Sequence, residues 1–401
     1  MPQAVMLTPH GAGIENVTDT MAAIDWVARV QAMAPLIQAA IPRIDAAGAL
    51  PAELNAALHE AGLYRLLLPR SCGGAEVDPL TFGETIEALA AIDASTAWII
   101  GQVNGCAMSA AYLEPAVARD IYGAPEFVLA WGPPASGAPA QAHVVDGGYR
   151  VTGTWQFASG SRQANWLGGV LTVVELKENR TVLFPKSSAT ITDTWQVVGL
   201  RGTGSDQYAV TDLFVPAERT FKRNLNGSRE PGALYRLSTV YMHAIAFGSV
   251  ALGIARSTLD AFVDLARHKK PTRGSHGQPL RENNAVQGRI GLAEAQLRAA
   301  RAYLRDASRA GFAEASALTE GQISLDARVD MRAASTFAIG QAEQVVDMAY
   351  RLAGATAIFD AQPFERRFRD MHAVTQQLQG HLSNYETIGQ YRLDVPMDLN
   401  I

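Results

Sequence analysis

The chain reads as an α+β protein in three successive parts, helical, antiparallel β and helical again. Three observations predict this. Apolar residues recur at helical spacing from about residue 22 to 122. From about Phe127 to Pro216 the texture changes to short β-branched and aromatic runs, punctuated by Gly, Pro and Asp. After a Gly, Asn and Pro-bearing connector from Asn224 to Gly232, helical periodicity resumes almost to the end. The expected divisions are a flexible arm at 1–20, a helical domain at 21–124, a β-domain at 125–222 and a C-terminal four-helix-type domain at 223–401.

Each part has local signals. Residues 1–20 mix Pro, Gly, Thr and Asn without period, as a loose arm does. Leu50-Pro51 opens a helix that Gly62 stops, and Asp78-Pro79 supplies an N-cap followed by proline at the first helical position. Ala94 to Leu113 carries no charge, the length of a membrane span. Its Gln102, Asn104, Ser109 and glycines predict a buried helix instead. Val170–Val174, Thr181–Phe184 and Tyr208–Val215 are expected strands. Leu252, Ala255, Leu259, Phe262 and Ala266 form a stripe for helix packing.

The composition narrows the function. With 401 residues, 48% hydrophobic and 18% charged, the chain is globular, and a net charge of −5 without a basic tract argues against nucleic acid. Two cysteines, Cys72 and Cys106, provide neither a disulfide framework nor a zinc spacing and suit a reducing cytoplasm. The first Lys or Arg is Arg29, so no secretory n-region is expected. No Gly-rich turn lies between a strand and a helix, which argues against a nicotinamide site or a phosphate loop. The spacings His268/His276 and His372/His381 do not put two metal ligands on one helical face.

The most informative stretch is Tyr149–Trp166. Tyr149, Val151, Trp155 and Phe157 alternate onto one expected face, and the strand runs into Ala158-Ser159-Gly160-Ser161. A serine beside a glycine lets backbone and hydroxyl approach a planar ligand, although an ordinary turn has the same composition.

Four segments taken in order resemble the acyl-CoA dehydrogenase superfamily: residues 58–98, the stretch just described, GLRGTGSDQYAVTDLFVP at 199–216 and RLAGATAIFDAQPFERRFRD at 351–370. FASG followed by LRGTGS is most similar to the flavin-dependent monooxygenases of that fold. The resemblance implies reduced FMN or FAD supplied by a separate reductase, O2 as co-substrate, a flavin hydroperoxide, a small aromatic or heteroatom substrate and a homotetramer. It implies that Ser159 contacts the flavin near N5, that Phe157 covers the ring, and that Trp131, Gly132, Arg273 and Gly354 also bind the cofactor, the last from a neighbouring chain. Arg267–Arg273 also reads as a solvated basic loop.

The departures matter as much. The two positions where dehydrogenases of the family keep a glutamate base hold Leu378 and His243, and the two where phenol hydroxylases often keep histidine hold Cys106 and Gln377. Thr203, Cys106 and Gln377 are therefore expected at the substrate pocket, with Cys106 packing as a small hydrophobe rather than reacting. His243 stands as a possible base near neutral pH or as a structural residue. Three functions remain open at this point: an oxygenase component, a dehydrogenase using His243, and a non-catalytic scaffold.

Overall fold

A computed structural model describes residues 24–138, 140–223, 227–270 and 278–397. The expected arm at 1–20, Arg273 and His276 lie outside the described residues. Helices α1 (Trp26–Ala47), α2 (Ala52–Glu60), α3 (Pro79–Ile92), α4 (Ala94–Ala107) and α5 (Pro115–Tyr122) come first. Gly62 takes the left-handed φ of 74° just beyond α2. Asp78 caps α3 by accepting from the backbone N–H groups of Leu80 and Thr81. The charge-free stretch is α4 continued by a 3-10 turn, and every residue of α4 except Gln102 is buried.

Among the described residues eight strands follow: β1 (Leu129–Ala130), β2 (Gln141–Val145), β3 (Gly148–Ala158), β4 (Trp166–Val173), β5 (Glu178–Pro185), β6 (Thr190–Thr192), β7 (Asp206–Pro216) and β8 (Thr220–Phe221). The order β6-β7-β3-β2-β4-β5-β8 makes one sheet. It departs from the expected antiparallel pattern at β4, which pairs in parallel with both β1 and β2. The sheet is anchored at Trp155, buried in β3, whose Nε1 donates to the Val170 carbonyl at 2.9 Å while its ring stacks on Tyr208 of β7.

The C-terminal part consists of α6 (Thr239–His268), α7 (Asn284–Ala317), α8 (Leu325–Ala353), α9 (Phe364–Thr375) and α10 (Ser383–Arg392). Among the described residues only α6 is long and apolar enough to cross a membrane, and 78% of its most apolar window is buried inside the molecule. It serves as the central core helix, packed against α3, α4, α7, α8 and α9. Ser238 caps it through the Tyr241 N–H, and its buried face includes Leu252, Ala255, Leu259 and Phe262.

Candidate active site

The turn after β3 begins with a break in strand alternation. The β3–β7 register shifts between Trp155 and Ala158, and Phe157 adopts φ 58°. This bulge moves Ala158 inward and turns Phe157 out, 55% exposed and edge-on to Trp195 at 6.1 Å. The expectation that Phe157 shares a face with Tyr149, Val151 and Trp155 is thus corrected. An extra residue in a strand flips whatever follows it. The turn is then closed by backbone bonds from Ser161 N–H to the Ala158 carbonyl and from Gly160 N–H to the Thr203 carbonyl, both 2.9 Å.

These bonds join the two sequence motifs, and the hydroxyls complete the join. Ser159 Oγ accepts from Trp98 Nε1 at 3.0 Å and lies 2.6 Å from Ser205 Oγ, which lies 2.7 Å from Thr203 Oγ1. Thr203 Oγ1 donates to the Leu200 carbonyl at 2.9 Å. A hydroxyl carries one proton, so counting from that carbonyl fixes the direction of the chain. Thr203 spends its proton on Leu200, Ser205 donates to Thr203, and Ser159 donates to Ser205. Ser159 receives Trp98 on one lone pair and keeps the other as an acceptor. Thr203 is itself fully buried. It supports Ser205 from behind.

The second loop of this arrangement is held from a distance of 170 residues. Leu200 is left-handed at φ 52°, a conformation costly for a leucine, and its N–H donates to Asp370 Oδ1 at 2.6 Å. Arg369 Nη1 donates to the Val198 carbonyl at 2.6 Å. Beside them Arg366 pairs with Asp45 at 3.0 Å and with Asp93 at 2.7 Å, and Asp93 caps α4 through Thr96. The RRFRD segment of α9 therefore fixes both the serine loop and the helix that carries Trp98. Burial raises the Asp370 carboxyl to about 6 against the pull of Arg366.

Trp98 stacks on Phe247 at 4.0 Å, and Phe247 stacks on His243 at 5.6 Å, so the ring series runs from Ser159 to His243. Gly105 makes room for the imidazole, since a Cβ there would lie 2.2 Å from His243 Nε2. His243 Nε2 lies 3.4 Å from the Gln102 carbonyl. Burial, despite that contact, pushes its pKa down to about 4, and Arg223 pushes the same way. The expectation of a base poised near neutrality without tuning is corrected: removal from water makes His243 a neutral, weakly basic imidazole at pH 7.

The remaining candidates separate. Cys106 is fully buried in a cluster with Leu68, Ala107 and Trp131, and burial raises its thiol to about 12, which makes it inert packing. Trp131 is met by Gln102, whose Nε2 donates to its carbonyl at 3.2 Å, and by Arg223, which lies 4.7 Å over its ring. Gly132 approaches β3 so closely that a Cβ would sit 1.7 Å from the Gln156 carbonyl oxygen. Gln377 is engaged elsewhere, capping a short turn by accepting from Gln379 N–H at 2.6 Å. Leu378 in that turn is 57% exposed. Gly354 ends α8 at φ 57°, beside Lys269, which bonds the Ala353 carbonyl and, at 2.7 Å, Thr356 Oγ1.

Sequence reasoning gave no role to Trp98, Asp370 or Arg223. The 58–98 segment and the RFRD motif contained a signal for the first two. Arg223, one cation beside Lys222, had none.

The N-terminal domain of acyl-CoA dehydrogenases matches residues 27–114, and their C-terminal domain matches 245–380. The oxygenase subunit HsaA of a flavin-dependent monooxygenase from Rhodococcus jostii (strain RHA1) is 30% identical over 361 residues, 86% of this chain and 92% of that protein. The chain belongs to the acyl-CoA dehydrogenase superfamily. Within it the chain is a flavin-dependent monooxygenase, of the oxygenase-component type. Indole-3-acetate monooxygenase of Pseudomonas putida is 32% identical, covering 79% of this chain and 80% of that one. The solved structure of the HsaA monooxygenase from M. tuberculosis superposes with a TM-score of 0.84 at 25% identity, over 93% of this chain and 98% of that one. The scaffold reading falls with this membership. The dehydrogenase reading gives way to the monooxygenase relatives.

Proposed function

We propose that this flavin-dependent oxygenase takes reduced FMN or FAD from a separate reductase at the Ser159 turn and hydroxylates a small aromatic substrate lying toward His243. The observation that carries it is the direction of the hydroxyl chain. Ser159 has a lone pair to offer and no proton, so it suits a ligand that presents an N–H. The central ring of a reduced flavin presents one at N5, whereas the oxidised ring presents a bare nitrogen. Bound there, reduced flavin supplies activation of O2 and delivery of one oxygen atom. The protein's part is to hold the ring edge at Ser159, orient the substrate and keep water out with Trp98, Phe247 and Trp131. His243, neutral at pH 7, can accept a hydrogen bond from a substrate hydroxyl or N–H. Phe157, Trp131, Gly132, Gly354 and Arg273 remain candidate cofactor neighbours.

We also place the protein in the cytoplasm, supported by its two buried free thiols, and in a homotetramer. Exposed Ile358 (62%), Phe359 (60%), Leu382 (74%) and Leu393 (75%) support the assembly, being apolar surface a partner copy would cover. The test is titration with reduced and oxidised FMN and FAD, followed by oxygen uptake. Tight binding of a reduced flavin only, with oxygen consumed only when it is supplied, is expected. Stable retention of oxidised FAD that bleaches with an acyl-CoA would overturn the reading.

A further inference from the structure

We infer that Arg223 is the receptor for an anionic group of the substrate, so that the aromatic compound oxidised here is an acid carrying a carboxylate. The inference rests on the oxygenase reading above for the identity of the pocket. Arg223 follows β8 and is held by its neighbours: Nε donates to Thr181 Oγ1 at 3.0 Å, and the guanidinium lies 4.7 Å over the Trp131 ring. These contacts orient the group but leave its charge unanswered. The acidic groups that act on it are Cys106, Tyr112 and Tyr208. Burial raises the first two to about 12 and pushes Tyr208 up as well, so none is ionised at neutral pH. Among the described residues no carboxylate forms an ion pair with Arg223.

Two other arginines drawn from water are paired with carboxylates. Arg366 has both Asp45 and Asp93, and Arg301 has Glu87 at 2.6 Å. Arg223 loses hydration to the protein around it yet keeps an exposed face, which is the situation of a side chain lining a deep cleft. A guanidinium in such a place attracts a planar bidentate anion, the carboxylate being the commonest. Its position favours substrate over cofactor. Arg223 shares its surroundings with Cys106 and His243 on the helical wall, and His243 is two ring contacts away from the Ser159 turn.

The test is calorimetric binding of three matched pairs without flavin: benzoate and benzamide, phenylacetate and phenylacetamide, indole-3-acetate and indole-3-acetamide. At least one acid is expected to bind roughly tenfold or more tightly than its amide, the scale of a charge-assisted hydrogen bond. That preference should vanish in Arg223→Gln, and in Arg223→Met, which keeps the packing on Trp131, while amide binding stays as it was. Equal binding of acids and amides by the native protein would overturn the inference, whatever the variants do. So would a preference that survives in either variant, or weakened binding of reduced FMN with the acid preference intact, which would give the arginine's anion to the flavin. If acids are preferred but reduced FMN and O2 leave no oxygenase signature, the anion pocket stands and the oxygenase reading fails.

Discussion

The two ends of the ring series are built on opposite plans. At the Ser159 end every hydroxyl proton is spent within the protein, the supporting loop is anchored to α9, and the open position is one lone pair. At the other end the imidazole of His243 is dehydrated and neutral, and among the described residues no carboxylate forms an ion pair with Arg223. A pre-spent network recognises one fixed hydrogen-bonding pattern and costs nothing to reorganise when a ligand arrives. An unbalanced cation is costly until a ligand completes it. The first plan suits a constant cofactor and the second a substrate selected by charge.

The comparison can be broken most forcefully at the anchor. Asp370→Ala removes the partner of the Leu200 N–H and one of the charges facing Arg366, and should destabilise the protein by about 3 kcal/mol in urea unfolding. Little change would mean that the serine loop is held by its own backbone. His243 sharpens the other end. Its folded pKa of about 4 lies below the ordinary 6.5, so the unfolded chain binds the proton more tightly. Its contribution is absent above pH 6.5 and costs stability as pH falls toward 4, roughly 2–3 kcal/mol at pH 4.5. Unfolding at pH 7 and 4.5 should therefore show His243→Gln losing less stability than the native chain.

Gly105→Ala would force a methyl against His243 Nε2 and should cost about 1–2 kcal/mol, overpacking outweighing the better helix propensity of alanine. Thermal unfolding checks the sign. Thr203→Val has the smallest effect on stability, about 1 kcal/mol, but frees Ser205 to reverse its proton. The preference for reduced over oxidised flavin should narrow, as titration of both forms would show.

Much of the fold was legible because its signals are local. Asp78-Pro79 and Gly62 mark helix ends through their own backbone chemistry, and the β3 alternation holds from Tyr149 to Trp155. The site was legible only where it repeats a motif. Phe157 was misplaced because a bulge leaves no mark in composition, and a non-glycine residue at φ 58° cannot be read from its neighbours. The tie between Asp370 and Leu200 is invisible for another reason: the resemblance identified both motifs, but spacing along the chain does not say that one donates to the other. Arg223 escaped because a lone cation on the sequence is indistinguishable from a solvated one until its surroundings are known.

The most direct test is a stopped-flow absorbance trace of the protein with reduced FMN, mixed with oxygen and no substrate, recorded for the native chain, Ser159→Ala and Arg223→Gln. The native protein should show a transient that precedes oxidised flavin. It should decay faster in Ser159→Ala and at the native rate in Arg223→Gln. A transient that is unaffected by Ser159→Ala, or that is lost in Arg223→Gln instead, would contradict the assignment of the two ends.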